Sequence, residues 1–227
     1  MEIRHLSFRY PGAEEDVLKD VNFAIPKGRT VALIGSSGAG KTTLADILLG
    51  LLTPERGHIM ADEMDIFKNL ATWQGEIGYI PQTIFLSDDT IRRNIAFGIP
   101  DEEIDEERVR DAAEKAQLTA FIETLPDGMD TIVGERGARI SGGQRQRIGI
   151  ARALYTDPEV MVLDEATSAL DGETETAVME AIDSLHGTKT MIIIAHRLTT
   201  IRNADLIYEV ENGQVTERTK EEVFREG

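Results

Sequence analysis

Thr30-Val31-Ala32-Leu33-Ile34 runs directly into Gly35-Ser36-Ser37-Gly38-Ala39-Gly40-Lys41-Thr42. That junction of an apolar run with a glycine-rich loop decides the fold. The apolar run Val31–Ile34 is what a strand buried on both faces of a parallel sheet requires. The loop fits G-x-x-x-x-G-K-[ST] at every fixed position, and the residues after it, Thr42–Leu52, read as a helix. Glycines let successive backbone N–H groups converge on an anion without a Cβ clash. The helix amino end adds partial positive charge, Lys41 a full one, and Thr42 a hydroxyl for Mg²⁺ bridging the phosphates. Strand, loop and helix in that order make a nucleoside triphosphate site.

Outward from the loop, the same strand signature recurs at Val160–Leu163 and Met191–Ile194. Earlier segments alternate instead: Ile3, Leu6, Phe8 and Tyr10 end at Pro11-Gly12, and Val17–Ile25 turns at Pro26-Lys27-Gly28. Apolar strands separated by helical stretches mean an α/β sheet. Asp164 and Glu165 emerge at the carboxyl end of the Val160 strand, the edge where open α/β sheets bind ligands. Consecutive strand residues face opposite sides, so the two acids take different roles. Asp164 suits Mg²⁺ held through its water shell, and Glu165 suits a general base that orients the attacking water.

Composition bounds the partners. The 227 residues hold 24 Lys plus Arg against 41 Asp plus Glu, a formal charge of −17, with pI near 4.6 and mean hydropathy −0.22. Such a balance excludes nucleic-acid binding by bulk charge and adsorption to an anionic membrane. With no cysteine there is no disulfide, thiolate nucleophile or zinc–thiolate site. No apolar run reaches the roughly 18–20 residues that span a bilayer, and Met1-Glu2-Ile3-Arg4-His5 lacks a signal peptide's apolar core. These features fit a soluble intracellular chain.

Residues from about 87 to 157 differ in character. Asp101–Arg110 opens a charged, helix-favouring stretch running through Ala112, Ala113 and Ala116 to Phe121, and a further helix is expected over Gln144–Tyr155. The region reads as a helical lobe inserted between Pro81-Gln82 and Asp157-Pro158, or as a peripheral helical layer of one domain. Ser141-Gly142-Gly143-Gln144 opens the second helix. On its residues alone it is either a well-capped helix start or an anion nest.

Ile140-Ser141-Gly142-Gly143-Gln144-Arg145-Gln146-Arg147 resembles the signature of ATP-binding cassette (ABC) transporter nucleotide-binding domains, with Ile140 in place of the usual leucine. The resemblance covers almost the whole chain in the family's order. Tyr10, in Phe8-Arg9-Tyr10-Pro11, is similar to the aromatic that stacks on adenine, and Gln82 to the lobe-joining glutamine that contacts Mg²⁺. Ser168-Ala169-Leu170-Asp171 is similar to the loop crossing the dimer interface, and His196, after Ala195, to the switch histidine at the γ-phosphate. Thr90-Ile91-Arg92-Arg93-Asn94-Ile95 and Gly134-Glu135-Arg136-Gly137 resemble exporter-type elements.

The resemblance implies a P-loop NTPase (RecA-like) α/β core with an N-terminal antiparallel β subdomain and an inserted helical subdomain. Residues 1–227 form one nucleotide-binding domain, with 1–82 plus 158–227 as the ATP-binding core and 83–157 as the helical lobe. Glu165 and His196 are expected to be catalytic. Tyr10, Val17, Gly35, Ser36, Ser37, Gly38, Ala39, Gly40, Lys41, Thr42, Thr43 and Gln82 are expected on nucleotide, with Ser141, Gly142, Gly143, Gln144 and Asp171. Thr42, Gln82 and Asp164 are the expected Mg²⁺ donors. The implied activity is ATP hydrolysis for an exporter or lipid flippase, by a head-to-tail dimer of two copies with ATP sandwiched between them. A membrane domain, expected upstream on the same polypeptide, would hold the chain at the cytoplasmic face, and no nucleic-acid partner is expected. Two other classes make different demands on the sequence. A soluble ABC-type mechanical protein would need a second cassette, a coiled-coil insertion or a basic surface. A P-loop GTPase or small-molecule kinase would leave the Ser141 motif unexplained, and the Asn-Lys-x-Asp guanine reader of a GTPase is absent.

Overall fold

The computed structural model describes residues 1–134, 137–164, 172–195 and 200–225. Two antiparallel strands open the chain, β1 (Glu2–Phe8) and β2 (Leu18–Ala24). The buried strand β3 (Thr30–Ile34) then leads through the glycine loop into α1 (Lys41–Leu48). A hairpin follows, β4 (Arg56–Ala61) and β5 (Met64–Asp65), and then α2 (Leu70–Gly75) and β6 (Ile77–Ile80). Four helices come next: α3 (Ile91–Ile95), α4 (Glu106–Lys115), α5 (Thr119–Glu123) and α6 (Gly142–Leu154). The chain finishes with β7 (Val160–Asp164), α7 (Gly172–Asp183), β8 (Thr190–Ile194), β9 (Leu206–Glu211), β10 (Gln214–Arg218) and α8 (Lys220–Arg225).

These elements divide into two compact units. The first takes the described residues of 1–79, 159–165 and 186–227, and the second those of 80–158 and 166–185. In the first, β2-β1-β4-β5 form an antiparallel sheet, and β10-β9-β3-β8-β7-β6 form the larger sheet. β3 pairs in parallel with both β8 and β9, and β7 in parallel with β8, which explains why β3, β7 and β8 read as apolar runs. One core joins the two sheets. Ile3, Leu6 and Phe8 of β1 and Leu18 and Val21 of β2 pack with Val31 and Leu33 of β3 and Leu44, Ile47 and Leu48 of α1. Trp73 closes it, its indole Nε1–H donating to the Leu48 carbonyl at 2.7 Å.

The second unit has its own apolar interior, to which α3, α4, α6 and α7 contribute. Gly149 allows α6 close approach, because a Cβ there would lie 2.4 Å from Ile84 Cδ1. Asn94 is fully buried and ties the turn Ser87–Thr90 together, and Arg152 of α6 donates to its backbone oxygen (2.8 Å) and side-chain oxygen (3.1 Å). One expectation needs correction. The stretch from Asp101 to Phe121 is not a continuous helix: α4 begins only at Glu106, capped by Asp105, and breaks at Gln117, which takes a left-handed φ of 55° before α5. The cap wins because the Asp105 carboxylate accepts from the N–H groups of both Glu107 and Arg108.

Candidate nucleotide-binding site

The carboxyl ends of three adjacent parallel strands meet along one edge of the larger sheet. Leu33 of β3 pairs with Ile194 of β8, and Asp164 of β7 is opposite that same Ile194. The glycine loop, Asp164 and Ala195 therefore share this edge, as open α/β sheets place their ligand sites.

The loop is shaped by backbone, not side chains. Gly35, Gly38 and Gly40 all have positive φ, at 140°, 79° and 108°. Gly35 is forced, since a Cβ there would sit 2.2 Å from the Val210 carbonyl oxygen of β9. Gly40 precedes α1 in left-handed conformation, and α1 carries no acidic residue in its first turn, so its amino end stays electropositive.

Lys41 is 4% exposed. Its ammonium donates to the carbonyl oxygens of Gly35 at 2.8 Å and Ser36 at 2.9 Å, arching back over the loop that it follows. Held over the loop by these two bonds, the ammonium puts a full positive charge beside the position an anion in the loop would take. Thr42 is exposed and Thr43 buried in the first turn of α1.

The other first-unit candidates gather here. Val17 lies against the Gly40 position, 3.4 Å from where a Cβ would stand. Tyr10 is 41% exposed, stands edge-on to Phe8 with ring centroids 5.0 Å apart, and has its phenol oxygen 3.1 Å from Thr43 Oγ1. A half-exposed ring tethered to the phosphate-loop helix suits stacking on a base. Asp164 is half-buried, and with Asp46 it helps to raise the Tyr79 phenol, whose burial is the larger cause. Burial also raises Asp46 above the usual carboxylate range.

Gln82, Ser141, Gly142, Gly143 and Gln144 belong to the second unit. Gln82 is exposed just past β6. Ser141 caps α6 in a reciprocal box: its hydroxyl accepts from the Gln144 N–H at 3.2 Å, and Gln144 Oε1 accepts from the Ser141 N–H at 2.9 Å. Accepting that bond leaves the hydroxyl proton available to donate. Glu165, Asp171 and His196 lie outside the described residues, as do Glu135, Arg136 and the loop Ser168–Asp171. Among the described residues no group of three or more His, Cys, Asp or Glu is arranged to hold a metal by itself. Thr42 and Asp164, both in the first unit, offer a hydroxyl and a carboxylate oxygen, hard donors of the kind Mg²⁺ takes alongside phosphate and water, and Gln82 offers an amide oxygen in the second unit.

Two features of the site were not legible in the sequence. One is the Tyr10–Thr43 bond and the other is Val210, whose carbonyl dictates Gly35; neither has a local sequence signal.

The ABC transporter family profile matches residues 18–168. The chain belongs to the ABC transporter family. ABC relatives include the ATP-dependent lipid A-core flippase of Salmonella typhimurium, 44% identical over 219 residues, which are 96% of this chain and 38% of that protein. The flippase of Vibrio vulnificus strain YJ016 is 45% identical over 222 residues, covering 96% of this chain and 37% of its own length. The Escherichia coli K12 flippase is 42% identical, with 96% and 38% covered. The chain thus spans well under half the length of these ABC relatives. Among solved structures, a bacterial Atm1-family ABC exporter with ATP bound superposes with a TM-score of 0.87 at 36% identity, covering 99% of this chain and 39% of that one.

Proposed function

We propose that this chain is the ATP-binding and ATP-hydrolysing motor domain of an ABC exporter or lipid flippase. The observation that carries the reading is the buried Lys41 ammonium held on the Gly35 and Ser36 carbonyls above a loop of left-handed glycines at the α1 amino end. The similarity to lipid A-core flippases favours a lipid or glycolipid as the transported molecule.

In this reading the loop N–H groups and Lys41 grip the phosphates, while the Tyr10 ring takes the base beside Val17. Thr42, Asp164 and Gln82 hold Mg²⁺, which when bound neutralises phosphate charge. Glu165 removes a proton from the attacking water, and His196 hydrogen-bonds the γ-phosphate. Residues 1–82 plus 158–227 act as the ATP-binding core and 83–157 as the helical lobe. Two copies pair head to tail, each Ser141-Gly142-Gly143 and Asp171 completing the partner copy's site, and a membrane domain couples the pair to transport at the cytoplasmic face.

The test separates binding from chemistry. Glu165→Gln should bind ATP like the parent chain, measured by calorimetry, and hydrolyse it about 10²–10⁴-fold more slowly. Lys41→Ala should lose triphosphate binding itself. His196→Ala should lower turnover with ADP affinity unchanged. Near-parental turnover by Glu165→Gln would remove Glu165 from the catalytic role.

A further inference from the structure

At the amino ends of β7 and β8, opposite the edge that carries the glycine loop, the first unit encloses a cavity of about 240 Å³. Val160 and Thr190, the first residues of those strands, line it. The inner wall is apolar, formed by Ile25, Ile66 and Trp73, all buried. The remaining lining includes four charged side chains, one basic and three acidic. Lys27 faces Glu159, with Nζ 3.1 Å from Oε2, and Asp62 and Glu76 are exposed alongside. Met1 also lines the cavity, its nitrogen donating to the Ile25 carbonyl at 2.8 Å. Negative charge predominates even with that amino group counted.

An apolar wall beneath an acidic rim selects a particular chemistry. A carboxylate or phosphate would be repelled by the rim, and a neutral hydrophobe would gain nothing from it. The volume is below the roughly 300 Å³ at which drug-sized pockets begin, so the occupant is about one ring in size. We propose that this cavity binds a small amphiphilic amine, its apolar body against Ile25, Ile66 and Trp73 and its ammonium toward Asp62, Glu76 and Glu159. Trp73 is the single tryptophan of the chain, and its indole N–H donates to Leu48 at the carboxyl end of α1. Indole emission therefore reports on the wall of this cavity, and an occupant touches the residue that braces the phosphate-loop helix.

The experiment titrates the 227-residue chain with 2-phenylethylamine, and with 3-phenylpropionate and ethylbenzene as near-isosteric anionic and neutral probes. Trp73 emission and equilibrium dialysis are read in parallel, so binding is scored even where emission is insensitive. Saturable binding of the amine is expected, roughly tenfold or more tighter than either control, a preference of about 1.4 kcal/mol. Asp62→Asn combined with Glu76→Gln should erase most of the preference, and Ala61→Leu, which narrows the cavity, should abolish binding with the circular dichroism of the chain unchanged. Equal affinity for the three probes, no saturable binding, or amine binding unaffected by Ala61→Leu would each overturn the proposal. So would loss of amine binding in a longer chain carrying residues ahead of Met1, which would show that segment to be the occupant.

Discussion

The phenol oxygen of Tyr10, at the end of the first strand segment, lies 3.1 Å from the hydroxyl of Thr43 in the first turn of α1. A residue 33 positions earlier in the chain is thereby tethered to the helix that carries the phosphate loop. In the proposed function the tether orients the ring and the ring supplies the stacking surface, so the two roles separate by substitution. Tyr10→Phe should keep most ATP affinity. Tyr10→Ala should weaken ATP by roughly five- to a hundredfold, the worth of one stacked base. Inorganic tripolyphosphate, which has no base, should bind both variants like the parent. If Tyr10→Ala weakens tripolyphosphate as much as ATP, the residue supports the loop and takes no part in base recognition.

Gly35 and Gly38 both have positive φ, but only Gly35 is also crowded. A methyl at Gly35 meets the Val210 carbonyl oxygen at 2.2 Å, whereas at Gly38 it meets nothing within 4 Å. Gly38→Ala should cost about 1–2 kcal/mol, the left-handed penalty alone. Gly35→Ala should cost more, since β9 must also move from β3, to which it is hydrogen-bonded. Urea denaturation midpoints of the two variants give the order, and equal costs would contradict the crowding at Val210.

Asp205 ties the start of β3 to the loop before β9. Burial raises its pKa, but the Thr30 N–H at 2.8 Å, Arg29 at 2.9 Å and the nearby His186 favour the carboxylate, and the outcome is a value held below the ordinary aspartate. The folded chain thus binds fewer protons there than the unfolded chain. Its stabilisation is complete above the unfolded value of about 3.9 and is lost as pH falls through the lower folded value. Asp205→Asn should lower stability near pH 7 by about 1–3 kcal/mol, with the gap to the parent closing toward pH 3. Denaturation midpoints across that range check it; a gap constant with pH would assign the loss to packing.

The Ser141 hydroxyl accepts the Gln144 N–H in the α6 cap and keeps a proton to donate. Under the proposed function, in which Ser141 completes a partner copy's site, two inactive variants become complementary. Lys41→Ala lacks a working loop and Ser141→Arg a working signature, so each alone should be inactive. Mixed, they assemble one intact site per heterodimer, and part of the ATPase activity should return together with ATP-dependent dimerisation seen by light scattering. Absence of both would end the shared-site mechanism. Because Ser141→Arg also removes a cap worth about 1 kcal/mol, its thermal unfolding should be measured first.

Much of this molecule was legible in local sequence. Thr30–Ile34 with the loop to Thr42 specified a buried strand, an anion-binding turn and a helix, because hydrophobic period, glycine freedom and a lysine at fixed spacing act within a dozen residues. Val160–Leu163 and Met191–Ile194 were readable for the same reason: strands buried on both faces of a parallel sheet read as near-continuous apolar runs. The short helices were less so, since the break at Gln117 depends on Asp105 capping α4 and on a left-handed residue that no periodicity marks.

What tertiary structure alone decided are the contacts between distant segments. Val210 shapes the loop at Gly35, Tyr10 reaches Thr43, and Trp73 closes α1 while walling a cavity. The first depends on β9 lying beside β3 in the order β10-β9-β3-β8-β7-β6, and the other two on the packing of β1 and α2 with α1 in one core. Local propensity carries no information about that order. It is set when the apolar faces of all these strands and helices are buried together, and only then does a carbonyl on one strand determine which residue another segment can hold.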